Sequence, residues 1–382
     1  MTSLDGTSTA GEPSIRVGFV VHSMHVAGVE TLVSETISEL AHRIQPTVIC
    51  LDSIGELGHK LRRSGVDVVC LDRRPGLDLR APKRIAEIVR EHGIRVLHAH
   101  QYTPFFYSAL ARLLPGGPFR IIFTEHGRHY PDTVSTKRRT LNRVLFSHLA
   151  DEINACSRFS AHALAEVDGF KGRKIQLIPN GIRVRDYGPT GDRAGQRKRM
   201  GLDPDRIYVG CIARFHSVKD HTTLIDAFSR VADSRQDTEL LLVGDGPLRS
   251  ALESKVQHLQ LTGKVRFMGV RSDVPELLRC LDVFALTSLS EAASLTVLEA
   301  MATAIPVVTT TVGGNPEMIQ NGVDGLLVPR KDPSAAANAI LHLLDHPEDA
   351  KSMGLTARKK VLQNYTMSTT IEAYHDLYRS LN

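Results

Sequence analysis

Tryptophan is absent, and phenylalanine and tyrosine bring the aromatic share to only 5%. No ring is interleaved with the basic runs, so the stacking platforms that single-stranded nucleic acid requires are missing and nucleic acid is excluded as a partner. Cysteine is scarce too. The five residues Cys50, Cys70, Cys156, Cys211 and Cys280 are odd in number, lack C-x-x-C spacing and sit mostly in apolar runs. They read as buried thiols of a reducing compartment, not as a disulfide framework or a zinc site. No apolar run reaches the roughly 18 residues of a spanning helix. The opening MTSLDGTSTAGEP is polar and acidic where a signal peptide is basic and then apolar. A cytoplasmic protein is expected. Also missing are G-x-S-x-G, G-x-x-x-x-G-K-[ST] and H-E-x-x-H, and no D-x-D site stands at a strand end. The DPD at 203–205 reads as a helix cap.

What is present is a repeated alternation. Short β-branched runs at 15–23, 46–52, 66–72, 94–100, 120–126, 152–157 and 174–181 are separated by amphipathic stretches such as 29–43, 81–93 and 103–114. After a polar segment at 183–205 the pattern restarts, with strand-like runs at 207–214, 238–246, 264–269, 282–288, 305–311 and 324–329. Such alternation predicts parallel, doubly wound sheets with helices on both faces. A chain of 382 residues is also long enough for two cores. The expected class is therefore α/β, with two Rossmann-like domains facing across a cleft. The expected division is 1–182, 183–364, and a closing helix at 365–382 that packs back on the first domain.

Charge is unevenly spread. Residues 1–182 hold 23 Lys and Arg against 18 Asp and Glu, whereas residues 183–382 hold 24 of each. Clusters such as KLRR at 60–63 and KRRTLNR at 137–143 suit an anionic membrane surface or an acidic acceptor, although a solvated helical face explains any one of them more simply.

In open parallel sheets, ligands sit beyond the C-terminal strand ends. Several polar residues fall there. Gly28 follows the first strand at a turn into a helix, where a glycine lets backbone approach a phosphate or simply completes a turn. His126 ends the fifth strand, and His98 and His100 end the fourth, where packing is the better reading for the pair. Arg214 and Lys219 follow the first strand of the second set, a pair of cations suited to a diphosphate whose charge grows as it leaves. The VGDGPLRS stretch at 243–250 fails G-x-G-x-x-G and reads as a tight turn. Glu291 and Glu299 bracket the small, uncharged AASLTVL. Within one helix the eight-residue step would set them roughly 80° apart. If Glu291 lies on a loop and the helix starts near Ser294, both can flank the amides of a first helical turn, an anion site with a carboxylate on each side.

Taken in order, AGVETL, LHAHQYTPFF, TEHG, IPNGI, ARFHSVKDHTTLIDAF, ELLLVGDGPLRSAL, VRFMG, SEAASLTVLEAMATAIPVVTT and VGGNPEMIQNGVDGLLVP resemble the retaining GT-B glycosyltransferases of family 4 over nearly the whole chain. The resemblance implies transfer of a hexosyl group from a nucleotide diphosphate sugar, UDP-linked by default, to a glycan or lipid-linked acceptor. It assigns the donor sugar to Glu291 and the nucleotide ribose to Glu299. Ala293, Ser294, Leu295, Thr296 and Val297 would hold sugar and phosphates through backbone amides. Arg214 and Lys219 would hold the diphosphate, His126 would stand near the reacting sugar, Gly28 near the donor phosphates, and Met268 to Val270 against the base. It also implies front-face attack with no metal and no other cofactor. A membrane-bound acceptor would bring peripheral contact at the inner face of the membrane. Ala292, Asp220 and Ala304 stand where the family often has glycine, and Arg183 where it often has aspartate, but none of these removes a charged contact. A nucleotide-sugar epimerase of the same fold and a silent nucleotide-sugar-binding scaffold are the alternatives. A hydrolase is disfavoured by carboxylates placed around a phosphate site.

Overall fold

A computed structural model describes residues 14–115, 118–127 and 135–382. Its first sheet has seven parallel strands in the order β3-β2-β1-β4-β5-β6-β7. These are β1 (Ile15–Ser23), β2 (Ile44–Ser53), β3 (Asp67–Cys70), β4 (Val96–His100), β5 (Arg120–Glu125), β6 (Glu152–Ala155) and β7 (Gln176–Leu177). The second has six, β8 (Ile207–Ile212), β9 (Thr238–Val243), β10 (Val265–Gly269), β11 (Val283–Leu286), β12 (Val307–Thr310) and β13 (Leu326–Val328), in the order β10-β9-β8-β11-β12-β13. Both are doubly wound sheets, so the α/β Rossmann-like expectation holds. In each, the order reverses at the first strand, between β1 and β4 and between β8 and β11.

Apolar content explains the strands. Leu240, Leu241, Leu242, Val283, Phe284 and Val307 are fully buried, as strands covered on both faces must be. Each such side chain contributes about 1.5–3 kcal/mol through burial. All thirteen apolar runs read from the sequence coincide with strands, although the run at 174–181 forms only two residues of one. The cysteines are free, and four of them are buried. Burial pushes the thiols of Cys50, Cys156 and Cys211 up to about 12, which leaves them inert.

The chain forms two compact units. One comprises the described residues up to Thr124 together with Leu141–Ile153 and Ile371–Asn382; the other comprises those from Glu125 to Thr140 with Asn154–Thr370. Within the first, the closing helix Met367–Leu381 is fixed by the fully buried Tyr378, whose hydroxyl lies 2.7 Å from His98 Nδ1. The other ring nitrogen of His98 lies 2.6 Å from Thr124 Oγ1, so the packing reading of His98 is the observed one. Among the described residues no helix is long and apolar enough to cross a membrane.

Candidate functional site

The loops that leave β8 and β11 meet at the reversal point of the second sheet. After β8 the chain passes Arg214, which is exposed, and forms a single helical turn over Ser217–Lys219. Asp220 follows in the left-handed region at φ 45° and caps the helix His221–Ser234, accepting from Thr223 Oγ1 at 2.7 Å. A left-handed residue is where glycine is easiest, so an aspartate here carries a backbone cost. Asp220 takes glycine's place by supplying the cap.

Three contacts stitch this loop to the one after β11. Leu289 N donates to Val218 O at 2.7 Å, and Thr287 Oγ1 donates to Asp220 O at 2.9 Å. Lys219 Nζ donates to Glu291 Oε1 at 2.6 Å. Glu291 is buried and accepts a second bond on the same oxygen from Ser288 Oγ at 2.5 Å. The site therefore contains a nearly dry ion pair whose lysine is 23% exposed and whose glutamate is 8% exposed. A carboxylate removed from water needs such partners.

The helix Leu295–Ala302 begins just beyond, so the loop placement of Glu291 is correct and the single-helix reading is not. Ser294 is its extended N-cap residue and makes no capping bond; its hydroxyl instead lies 3.2 Å from Thr296 Oγ1. The first-turn amides, with Ala293 leading in, thus start without a side-chain acceptor. Glu299 is half-buried on the second turn. The helix ends in a Schellman turn in which Ile305 N donates to Ala300 O at 3.2 Å and Ala304 N to Met301 O at 3.0 Å. Ala304 occupies the left-handed position at φ 60°, again where glycine is usual.

His126 lies directly after β5 and is buried. Its Nδ1 is 3.3 Å from Asn180 Oδ1, and Cys156 Sγ donates to its carbonyl at 3.5 Å. Burial pushes the imidazole down to about 4 against the opposing effect of Asn180, so it is neutral at pH 7. Such a ring can exchange hydrogen bonds with a sugar hydroxyl but brings no charge. Asn180 was visible within IPNG but carried no predicted role. Ser288, the second partner of Glu291, was missed, although its place at a strand end was the available signal.

The glycine-bearing turn after β9 supports the Arg214 loop. Phe215 N donates to Asp245 O at 2.9 Å, and a Cβ on Gly244 would lie 2.2 Å from Ala213 O. The tight-turn reading of VGDG thus has a cause in the close approach of two backbones. Met268 is half-buried in β10, and Val270 just beyond is 76% exposed. Gly28 lies in the other unit. It opens the helix Gly28–Leu40 after an extended Ala27 that provides no side-chain cap.

This arrangement puts a lysine, a buried carboxylate and an uncapped helix start at the place where an α/β sheet binds ligands. The family description Glycosyltransferase Family 4 matches residues 26–186, and Glycosyl transferases group 1 matches residues 206–346. The chain is 30% identical over 310 residues to N-acetyl-alpha-D-glucosaminyl L-malate synthase of Bacillus anthracis, a match covering 80% of this chain and 79% of that one. It is 28% identical over 361 residues to GDP-mannose-dependent alpha-(1-6)-phosphatidylinositol monomannoside mannosyltransferase of Mycolicibacterium smegmatis, covering 90% and 92% of the two chains. The structure of Anabaena HepE in complex with UDP and glucose superposes with a TM-score of 0.85 at 20% identity, covering 96% of this chain and 100% of that one. The chain belongs to the family 4, group 1 glycosyltransferases and shares their GT-B fold.

Proposed function

We propose that the protein is a retaining hexosyltransferase that uses a UDP-linked sugar, needs no metal, and builds a glycan or lipid-linked product. The observation that carries this reading is the Lys219–Glu291 pair beside the uncapped start of Leu295–Ala302, at the reversal point of the second sheet. Residues 183–364 would form the donor domain. A diphosphate would draw Lys219 toward itself, with Arg214 as the second cation and Gly28 near the phosphates. Glu291, released from the lysine, would accept bonds from sugar hydroxyls. Amides of Ala293 to Val297 would hold sugar and phosphate, Glu299 the ribose, and Met268 and Val270 the base.

In the reaction the anomeric carbon–oxygen bond to the diphosphate breaks and the acceptor oxygen bonds on the same face. The acceptor proton passes to the departing phosphate oxygen. Lys219 and Arg214 stabilise the charge that develops there, the largest single contribution in reactions of this type. Neutral His126 would orient a sugar hydroxyl. The choice of UDP draws on the ligand in the HepE structure, whereas the mycobacterial relative is named for GDP-mannose.

The acceptor would lie at the inner face of the membrane, with the protein cytoplasmic. Lys137, Arg139, Arg143 and Val144 are exposed along consecutive helical segments and suit an anionic lipid surface.

A panel of UDP-, GDP- and ADP-linked sugars, followed by thermal shift and by mass spectrometry of released nucleoside diphosphate, tests the reading. Stabilisation by a UDP-sugar with slow UDP release supports it. Stabilisation without release under any acceptor favours a silent scaffold, and release of the free sugar in epimerised form favours an epimerase.

A further inference from the structure

Glu291 and Ala292 are enclosed by three glycines from two other loops. A Cβ on Gly313 would lie 1.7 Å from Glu291 O, one on Gly314 would lie 1.8 Å from Ala292 O, and one on Gly127 would lie 2.0 Å from Ala292 Cβ. No side chain fits at such distances, so Gly313 and Gly314 lie directly against the backbone of 291–292 and Gly127 lies against the Ala292 methyl. Each wall is itself anchored. Gly314 N donates to Glu291 O at 2.9 Å, and the adjoining Asn315 is fully buried and donates from Nδ2 to Thr309 Oγ1 and Thr310 O, both at 3.0 Å. At the Gly127 contact, Gly127 N donates to Glu125 Oε1 at 2.9 Å, holding the turn that carries His126. The Ala292 methyl fills the space that a side chain at 127 would take.

We propose that the contact between Gly127 and the Ala292 methyl is a brace that sets the register of the His126 backbone against that of Glu291, making Ala292 a positioning residue for sugar transfer. The proposal rests on the functional reading above, in which both neighbours serve the donor sugar. The carbonyls of Glu291 and Ala292 are fixed by Gly313 and Gly314, so the methyl is the adjustable part of the contact. Lengthening the side chain at 292 pushes the two loops apart; removing it leaves them free to slide. Misplacement on the scale of one ångström costs about 100-fold in turnover while leaving binding of the nucleotide far less affected.

Position 292 is the cleaner one to vary, because Gly127 sits at φ 106° and any side chain there is strained for backbone reasons alone. Ala292→Val in the full chain should lower kcat for release of nucleoside diphosphate by about tenfold or more, with the donor KM within about threefold. Nitrogen-15 spectra of histidine-labelled protein, with the His126 signals assigned by their loss in His126→Gln, should show those resonances displaced. Ala292→Gly gives the same two readouts from the opposite direction if the valine variant does not fold. Combining Ala292→Gly with Gly127→Ala should recover part of the kcat lost in Gly127→Ala alone. Wild-type kcat together with unmoved His126 resonances in Ala292→Val and Ala292→Gly would overturn the brace. If the wild-type protein releases nothing from any donor, the functional reading fails by itself and the resonances still decide the brace.

Discussion

Lys219 and Glu291 hold each other at 2.6 Å from the ends of two adjacent strands, although 72 residues separate them in the chain. The pair has two roles to reconcile. In the structure the lysine satisfies a buried carboxylate; in the proposed reaction it would turn to the diphosphate while sugar hydroxyls take over the carboxylate. Lys219→Ala removes both. Stability should fall by about 2 kcal/mol, since a buried carboxylate loses a charged partner but keeps Ser288. Turnover should fall by about 100-fold or more, with a smaller loss in donor affinity. Glu299→Ala should show the reverse, weak nucleotide binding with a better preserved kcat. Urea unfolding and steady-state kinetics of the two variants provide the check, and equal effects on kcat and affinity in both would remove the distinction.

Two buried imidazoles make stability depend on pH. Burial pushes His126 from 6.5 down to about 4, and burial, aided by the nearby Lys219 charge, does the same for His221. Between these values the unfolded chain binds protons that the folded chain refuses, so stability falls as pH drops from 6.5 to about 4 and then levels off with respect to these groups. Each shift is worth about 3 kcal/mol at its full extent. Urea midpoints measured from pH 7 to pH 4 should decline, and His126→Gln or His221→Gln should each flatten the slope. Turnover should show no inflection near 6.5 from His126, because the folded ring stays neutral there.

Ala304 is a position where the sequence is not at its stability optimum. It is held at φ 60° at the end of the helix Leu295–Ala302. Ala304→Gly should raise stability by about 1 kcal/mol, since the left-handed region costs alanine more than glycine. Thermal unfolding measures this, and donor affinity should not change, because the residue lies at the far end of the helix from Ala293.

The basic run at 137–139 divides in two. Arg138 Nη2 lies 3.2 Å from Asp168 Oδ1, with the aspartate buried, so its charge is committed inside the fold. Lys137 and Arg139 are exposed. Lys137→Glu with Arg139→Glu should weaken cosedimentation with anionic vesicles by about 30-fold or more without lowering the melting temperature, each lost charge being worth about 1 kcal/mol at such a surface. Arg138→Glu should instead destabilise the protein, and unchanged vesicle binding in the double variant would argue against membrane contact through this face.

The fold was legible because strands covered on both faces must be apolar throughout, and every run of that kind became a strand. The start of the site helix was legible as well, since Ser294 introduces a run free of charge until Glu299. Departures from glycine at 220 and 304 were visible, but their meaning needed the backbone angles that only the structure supplies. Contacts between distant segments had no local signature. Nothing in SLSEAAS announces that Glu291 pairs with Lys219, nor does IPNG reveal that Asn180 faces His126. The discontinuous compact units are hidden for the same reason, because they depend on how segments such as Leu141–Ile153 and Ile371–Asn382 pack, not on composition.

The most direct test of the account is proton NMR of a UDP-sugar during its slow hydrolysis by the wild-type protein and by Lys219→Ala, read at the anomeric signals. Retaining chemistry at the Lys219–Glu291 site predicts that the sugar first appears with the anomeric configuration of the donor, and that Lys219→Ala slows its appearance by about 100-fold or more. First appearance of the opposite anomer, or an unchanged rate in Lys219→Ala, would contradict it.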